Sequence, residues 1–231
     1  MQIFIANNSQ LELGELNEFE SKHCIKVLRK KPGDEIKITN GCGDLFTATI
    51  TKTTSNKCSF ELINTIHYPK TTAPLHIAIA PTKSIDRFEF FIEKCIEIGI
   101  SEITPMLCFH SERKTIKLER LNKIIISACK QSKNFHFPKL NGLTPFSSVV
   151  NSEYNHKLIA HCVDHQKTEL KNYRINEPTL IFIGPEGDFS KDEIELALKN
   201  EFQPISLGES RLRTETAGIV ACTIANLNYE K

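Results

Sequence analysis

Ile183-Gly184-Pro185-Glu186-Gly187-Asp188-Phe189-Ser190 and Leu207-Gly208-Glu209-Ser210-Arg211-Leu212-Arg213-Thr214-Glu215-Thr216-Ala217-Gly218 are the two stretches around which the chain is organised. Each follows a short apolar run and precedes a helix-like segment. Thr179 to Ile183 is β-branched and apolar, as a buried strand is. Ser190 with Glu193 three residues on reads as a capping box that opens a helix. The second loop follows Pro204-Ile205-Ser206 and opens a helix expected over 216–227. Gly-bearing loops at strand-to-helix ends of an α/β sheet suggest a ligand crevice, because Gly lets main-chain groups approach a ligand closely. A purine read by backbone hydrogen bonds, an anion nest and two plain tight turns all fit that spacing.

The wording of the loops is more specific. Ile-Gly-Pro-Glu-Gly, a polar cap with Asp192-Glu193-Ile194, then Leu207-Gly208 and Leu212 to Ala217 resemble the SPOUT, or α/β-knot, methyltransferases. Within them the likeness is to the bacterial 16S ribosomal RNA uridine N3-methyltransferases. The resemblance implies an α/β fold: a C-terminal SPOUT trefoil-knot methyltransferase domain over 71–231 and a small N-terminal PUA-like β-barrel domain over 1–70. It implies S-adenosyl-L-methionine as cofactor, held by Gly184, Pro185, Glu186, Gly187, Leu207, Gly208, Leu212, Arg213, Thr216 and Ala217, with Leu158 and His161 lining the site from an earlier strand. It also implies a homodimer through the knotted domain, acting on 16S rRNA within the small ribosomal subunit. The second Gly usual after Gly-Pro-Glu-Gly is Asp188 here. Asp tolerates positive φ better than most residues, so the loop is expected to survive.

The implied reaction places a methyl group on N3 of a uridine. That nitrogen carries a proton at neutral pH, and its loss spreads negative charge onto the ring carbonyls. In-line positioning, a proton acceptor and a cationic donor are the requirements. Arg211 and Arg213 are the candidate donors, or else phosphate ligands. Glu215 and Glu186 are candidate acceptors, or else cap helix amides and shape the loop. The chemistry needs no metal.

Outside the loops, 231 residues suffice for one large or two smaller domains. A hydrophobic share of 40% and a charged share of 25% are ordinary for a globular protein, and a net charge of +1 gives no global basic signal. The eight Cys form no Cys-x-x-Cys pair, which weakens zinc-ribbon and thioredoxin readings and suits reduced core thiols. Met1 runs straight into a strand-like Gln2 to Ile5, and no apolar run approaches a membrane span. A cytoplasmic protein with no membrane association is expected.

The first 70 residues read as short strands, at Ile3 to Ala6, Glu35 to Thr39, Leu45 to Ile50 and Cys58 to Ile63, with a short helix over Glu18 to Leu28 whose apolar or small positions include Phe19, Cys24, Val27 and Leu28. A compact barrel closes so many short strands. His23 to Arg29 resembles the family's N-terminal RNA-binding domain. Lys22, Lys26, Arg29, Lys30 and Lys31 concentrate positive charge there, which fits a solvated face or, beside a methyltransferase, phosphate contact. Thr65 to Pro74 reads as a linker.

Leu75 to Ala80 is a strand followed by Pro81-Thr82-Lys83-Ser84, not the Gly-x-Gly loop of a dinucleotide fold. Ile85 to Ile98 is an amphipathic helix ended by Gly99. Residues 110–140 carry eight basic side chains against two acidic ones, and Leu118, Leu121, Ile124, Ile125 and Ala128 give them a buried stripe. Arg113, Lys114, Lys130 and Lys133 are the RNA-contact candidates. Ser111-Glu112-Arg113 and Lys130-Gln131-Ser132 fall on family motifs, although Lys133-Asn134 replaces the usual Gly-Arg. His161 and His165 lack the carboxylate or Cys grouping of a metal site. Three rivals stand beside the main reading. They are a SPOUT methyltransferase for another RNA position, a non-catalytic ribosome-assembly factor, and a small-molecule enzyme using the late loops for a nucleotide.

Overall fold

The structure, a computed structural model, describes residues 2–163 and 166–229; His165 lies outside them. The chain forms two compact units. The first comprises residues 1–70 together with Cys129–Phe137; the second comprises 71–128 and 138–231.

In the first unit the elements are β1 (Ile3–Ile5), α1 (Asn8–Leu13), α2 (Glu18–Lys22), β2 (Glu35–Thr39), β3 (Asp44–Thr53) and β4 (Cys58–His67). They make a four-stranded sheet in the order β1-β2-β3-β4, with β1 parallel to β2 and the other pairs antiparallel. Register shifts between Thr47 and Ala48 and between Ile50 and Lys52 bend the long β3–β4 pair. The far edge of β4 is not bare: Leu16 N donates to Cys58 O at 3.0 Å and Phe60 N donates to Gly14 O at 2.7 Å. Phe4, Leu16, Ile36, Ile38, Ile50 and Phe60 share one buried core inside this wrap.

Two expectations change here. The helix over 18–28 is α2 continued as a π-helical turn, His23–Val27. Cys24 is buried, but Phe19 and Val27 point outward, at 75% and 67% exposure. The linker expected from Thr65 is shorter, because β4 runs on through His67. Thr65 and Ile66 pair with Phe46 and Leu45, and His67 Nδ1 lies 2.7 Å from Asp44 Oδ1. Hydrogen bonds from His67 and Asn40 hold the Asp44 carboxyl below its ordinary range.

The division at residue 70 also leaves out one returning segment. Gly43 N donates to Phe135 O and Phe137 N to Gly41 O, each at 2.8 Å, while Phe135 is buried with Ile3 and Leu45. Residues 129–137 therefore complete the first unit.

The second unit holds β5 (Leu75–Ile79), α3 (Ile85–Ile98), β6 (Glu102–Leu107), α4 (Leu118–Ser132, which ends in the first unit), β7 (Lys139–Leu140), β8 (Thr144–Pro145), α5 (Phe146–Val149), β9 (His156–Ala160), β10 (Thr168–Glu169), β11 (Thr179–Ile183), α6 (Lys191–Lys199), β12 (Gln203–Ser206) and α7 (Thr214–Leu227). Seven strands run parallel in the order β10-β12-β9-β11-β5-β6-β7, and β8 pairs with β6. β11 enters between β5 and β9, which both precede it in the chain. All five residues of β5 and of β11 are buried, as their continuous apolar runs require in a covered parallel sheet.

After β12 the chain returns as α7 to pack on α3, β5 and β11. Its inner stripe is small, with Gly218, Ala221, Cys222 and Ala225. A Cβ at Gly218 would stand 2.5 Å from the Phe91 ring, so glycine sets how closely α7 approaches α3.

At the start of β5, His76 is 5% exposed and bonded on both ring nitrogens, to Tyr154 Oη at 2.8 Å and Thr104 Oγ1 at 2.7 Å. Burial pushes its pKa down to about 4, against the opposing pull of Glu102. The unfolded chain, with an ordinary histidine near 6.5, binds a proton in the window where the folded protein does not. Stability from this group is thus present above the unfolded value and is lost as pH falls toward about 4. We predict a loss of roughly 3 kcal/mol across that window. His76→Gln flattens this part of the profile, measured by urea denaturation between neutral pH and the folded pKa.

Candidate active site

The strand order brings the ends of β9 and β11 side by side: Ala160 pairs with Ile183, and Ile183 pairs with Ile79 on its other edge. The loops after β9 and β11 and the entry to α7 surround a cavity of about 340 Å³. Ala160, Ile183, Leu212 and Ala217 give it apolar wall; Glu186, Asp188, Arg211 and Arg213 bring charge to it.

The loop after β11 turns by a bond from Asp188 N to Pro185 O, 2.9 Å. Asp188 takes φ of 64°, the left-handed conformation for which the missing glycine would have been suited. Its carboxylate makes the position useful: Oδ2 accepts from Cys162 N at 2.7 Å and Oδ1 from Phe189 N at 2.9 Å. Phe189 then packs against Gly184, where an added Cβ would lie 3.0 Å from the ring. Ser190 and Glu193 form the capping box on α6, the Ser190 hydroxyl accepting from Glu193 N and the Glu193 carboxylate accepting from Ser190 N.

α7 begins two residues before its expected start, with Arg213 as N-cap. This puts Thr214 in the first turn, buried, where its hydroxyl donates to Gly184 O at 3.1 Å. That bond joins the two loops. Glu215 is also buried; Arg87 Nε lies 3.8 Å from its Oε1, and its Oε2 has no hydrogen-bond partner among the described residues. Glu186 Oε1 accepts from Lys83 N at 2.9 Å, which ties the loop after β5 to the loop after β11. Lys83 in turn pairs with Glu112 at 2.8 Å, and that hydrogen bond holds its ammonium above the ordinary range. Arg211 and Arg213 are exposed and make no ion pair among the described residues.

The family model of the RNA methyltransferase domain matches residues 69–226, and that of its PUA domain matches 16–63. The chain belongs to the RNA methyltransferase family. It is 32% identical to ribosomal RNA small subunit methyltransferase E of Rickettsia conorii, over 94% of this chain and 89% of that protein. It is 34% identical to the protein of that name in Buchnera aphidicola, over 90% and 88%. The crystal structure of the Neisseria gonorrhoeae enzyme bound to S-adenosyl methionine superposes with a TM-score of 0.81 at 25% identity, covering 96% of this chain and 95% of that one. A probable rRNA-methyltransferase from Porphyromonas gingivalis superposes with a TM-score of 0.88 at 39% identity, with the same coverage.

Of the residues expected around a methyltransferase cofactor, Gly184, Pro185, Glu186, Leu212, Arg213 and Ala217 line the cavity, as does Arg211. Others do not. Leu158 is buried within β9, paired with Ile181 in the sheet interior. His161 is buried beside the strand end, its carbonyl accepting from Lys167 Nζ. Gly187 faces His110, whose Cβ lies 3.2 Å from where a Cβ would be. Leu207 and Gly208 stand outside the lining, and Thr216 is exposed because Thr214 and Ala217, three apart, take the inner face of the turn. Ala160, Ile183, Cys162, Asp188 and Thr214 line the cavity without having been singled out for it. Their signal was adjacency: each stands at a strand end or inside a quoted motif.

The basic candidates divide. Lys130 Nζ is 2.5 Å from Glu20 Oε1 with both side chains largely buried, so it neutralises a core carboxylate and does not reach for phosphate. Arg113 donates to Thr82 O and Lys83 O, which uses its guanidinium to hold the loop after β5. Arg120 and Lys139 are taken up by Glu89 and Glu102. Lys114, Lys117, Lys123 and Lys133 remain exposed, as do Lys26 and Arg29 in the first unit, while Lys22 pairs with Glu18. Among the described residues no three His, Cys, Asp or Glu side chains gather at a metal site, and no helix is long and apolar enough to cross a membrane.

Asp188→Ala removes both carboxylate contacts and leaves a β-carbon in left-handed backbone. We expect a loss of about 2 kcal/mol, with Asp188→Asn losing about half as much. Denaturant titration of the three proteins checks this ordering.

Proposed function

We propose that this protein methylates N3 of a uridine in 16S ribosomal RNA, using S-adenosylmethionine. The observation that carries the reading is the cavity enclosed by the loops after β9 and β11 and the entry to α7, tied by Thr214 and Gly184, in a chain of this family. The cavity volume is in the range of small-molecule sites, and its lining suits the cofactor. Ala160, Ile183, Leu212 and Ala217 offer apolar wall to an adenosine, main chain at Gly184 offers hydrogen bonds, and the Glu186 carboxylate suits a cationic ligand. When bound, S-adenosylmethionine supplies the methyl as an electrophilic carbon on a sulfonium centre.

The chain's own groups position the uridine and stabilise its anion. Arg211 and Arg213, exposed at the cavity and without an ion pair among the described residues, stabilise charge on a uracil carbonyl as the N3 proton leaves. Glu186 at the cavity wall and Glu215, buried outside the lining beside Arg87 with Oε2 unpartnered among the described residues, are the two candidate proton acceptors. In the first unit exposed Lys26, Arg29 and Lys133 contact RNA phosphates, and in the second unit exposed Lys114 does so. We take residues 1–70, completed by the returning segment 129–137, as the RNA-binding domain and the rest of 71–231 as the methyltransferase domain. We further propose a homodimer that acts in the cytoplasm on the assembled small subunit and needs no metal.

Small ribosomal subunits lacking the modification, labelled S-adenosylmethionine and nucleoside mass spectrometry test the reaction. N3-methyluridine is the expected product, and Arg213→Ala slows its formation by about 10²-fold or more. A different methylated nucleoside, or none, overturns the assignment.

Cofactor placement has its own test. Cys162 lines the cavity and Cys42 is exposed in the first unit, while the other six cysteines are buried. S-adenosylmethionine is expected to slow alkylation of Cys162 by N-ethylmaleimide and to leave Cys42 unchanged, read by peptide mass spectrometry. Equal rates with and without it would place the cofactor elsewhere.

A further inference from the structure

The loop between β6 and α4 holds a large apolar side chain in water. Phe109 is 77% exposed, although the loop carrying it is tightly held. Phe109 N donates to Glu193 Oε1 at 2.8 Å, Cys108 N to Ser111 Oγ at 2.9 Å and Ser111 N to Cys108 O at 3.1 Å. Its neighbour His110 places Nδ1 3.0 Å from Asp188 O, and the two rings stand nearly perpendicular, at 80° with centroids 5.0 Å apart. A fixed backbone thus presents a phenyl ring whose burial is worth a few kcal/mol and which nothing among the described residues covers.

Two features say what covers it. The loop is bonded directly to Asp188, a wall residue of the cavity, so the ring belongs to the same rigid assembly as the methyl-transfer site. Exposed Lys114 and Lys117 follow a few residues on in the same loop. An exposed aromatic ring on the same loop as exposed cationic side chains is an arrangement that takes an unpaired nucleobase on the ring and the backbone phosphate on the cations.

Resting on the methyltransferase reading, we propose that Phe109 is a stacking platform for an unpaired base of the RNA substrate next to the target uridine, braced by His110. It is a specificity and positioning residue that stays clear of the reacting atoms. A nucleobase is favoured over a protein surface by Lys114 and Lys117, which an apolar protein contact would leave unmatched.

Phe109→Ala and Phe109→Tyr are compared with wild type in two assays: methyl transfer to unmodified small subunits, and fluorescence of a short single-stranded RNA carrying 2-aminopurine beside its central uridine. In Phe109→Ala we expect kcat/KM for subunits to fall about tenfold, almost wholly through KM, and 2-aminopurine quenching to weaken. Phe109→Tyr restores both, and cofactor affinity and melting temperature stay at wild-type values in all three. Phe109→Ala that matches wild type in both assays overturns the proposal. So does a variant whose sedimentation changes while its RNA readouts do not, which would assign the ring to a contact between copies of the chain. Phe109-dependent quenching without N3-methyluridine would keep the platform and sink the reaction.

Discussion

A strand buried on both faces and both edges must pair every peptide group, and β11 meets that condition only by lying between β5 and β9. The rest of the second unit follows from that insertion. Ile183 ends the strand with Ala160 on one side and Ile79 on the other, so the chain must leave the sheet at the place where the β9 loop also leaves it. Two loops are forced together at a switch in strand order, and a crevice opens between them. The return as α7 closes it, and the Thr214 hydroxyl on the Gly184 carbonyl joins the closing segment to the loop it covers.

Much of the charge near this site holds loops in place. Glu186 holds the loop after β5, Arg113 holds it again through two carbonyls, and Asp188 bridges to Cys162. Each interaction joins segments distant in sequence, which orders the loops before any ligand arrives and reduces the entropy lost on binding. Among the described residues Arg211 and Arg213 make no such tie. That contrast with Arg113 is what supports the charge-stabilising role proposed for them.

Local chemistry was legible where it was short-range. The capping box of Ser190 and Glu193, the strand Thr179–Ile183, the helix Ile85–Ile98 and the left-handed Asp188 each depend on neighbours within a few residues, and each is present in the fold. Of the stripe expected on α4, Leu121, Ile125 and Ala128 are buried and Ile124 partly so, while Leu118 at the helix start is 39% exposed. The role of Lys130 was not legible. Its partner Glu20 is 110 positions away, and a lysine that solvates phosphate and one that neutralises a core carboxylate are written alike. The continuation of β4 through His67 was hidden too, since Thr65 to His67 lack an apolar run and owe their strand state to pairing with β3.

By itself, then, the sequence determined the two glycine-bearing loops and the elements on either side of them, because hydrogen-bonding and turn preferences act over a few residues, and the wording of the loops carried the resemblance to the family. The tertiary structure decided which of those residues face one another. It turned Thr214 and Ala217 inward and Thr216 outward, kept Leu158 in the sheet interior, committed Arg113 and Lys130 to the scaffold, and left Phe109 in solvent on a fixed loop. Burial and long-range pairing are properties of the assembled chain, and residue identity and spacing do not carry them.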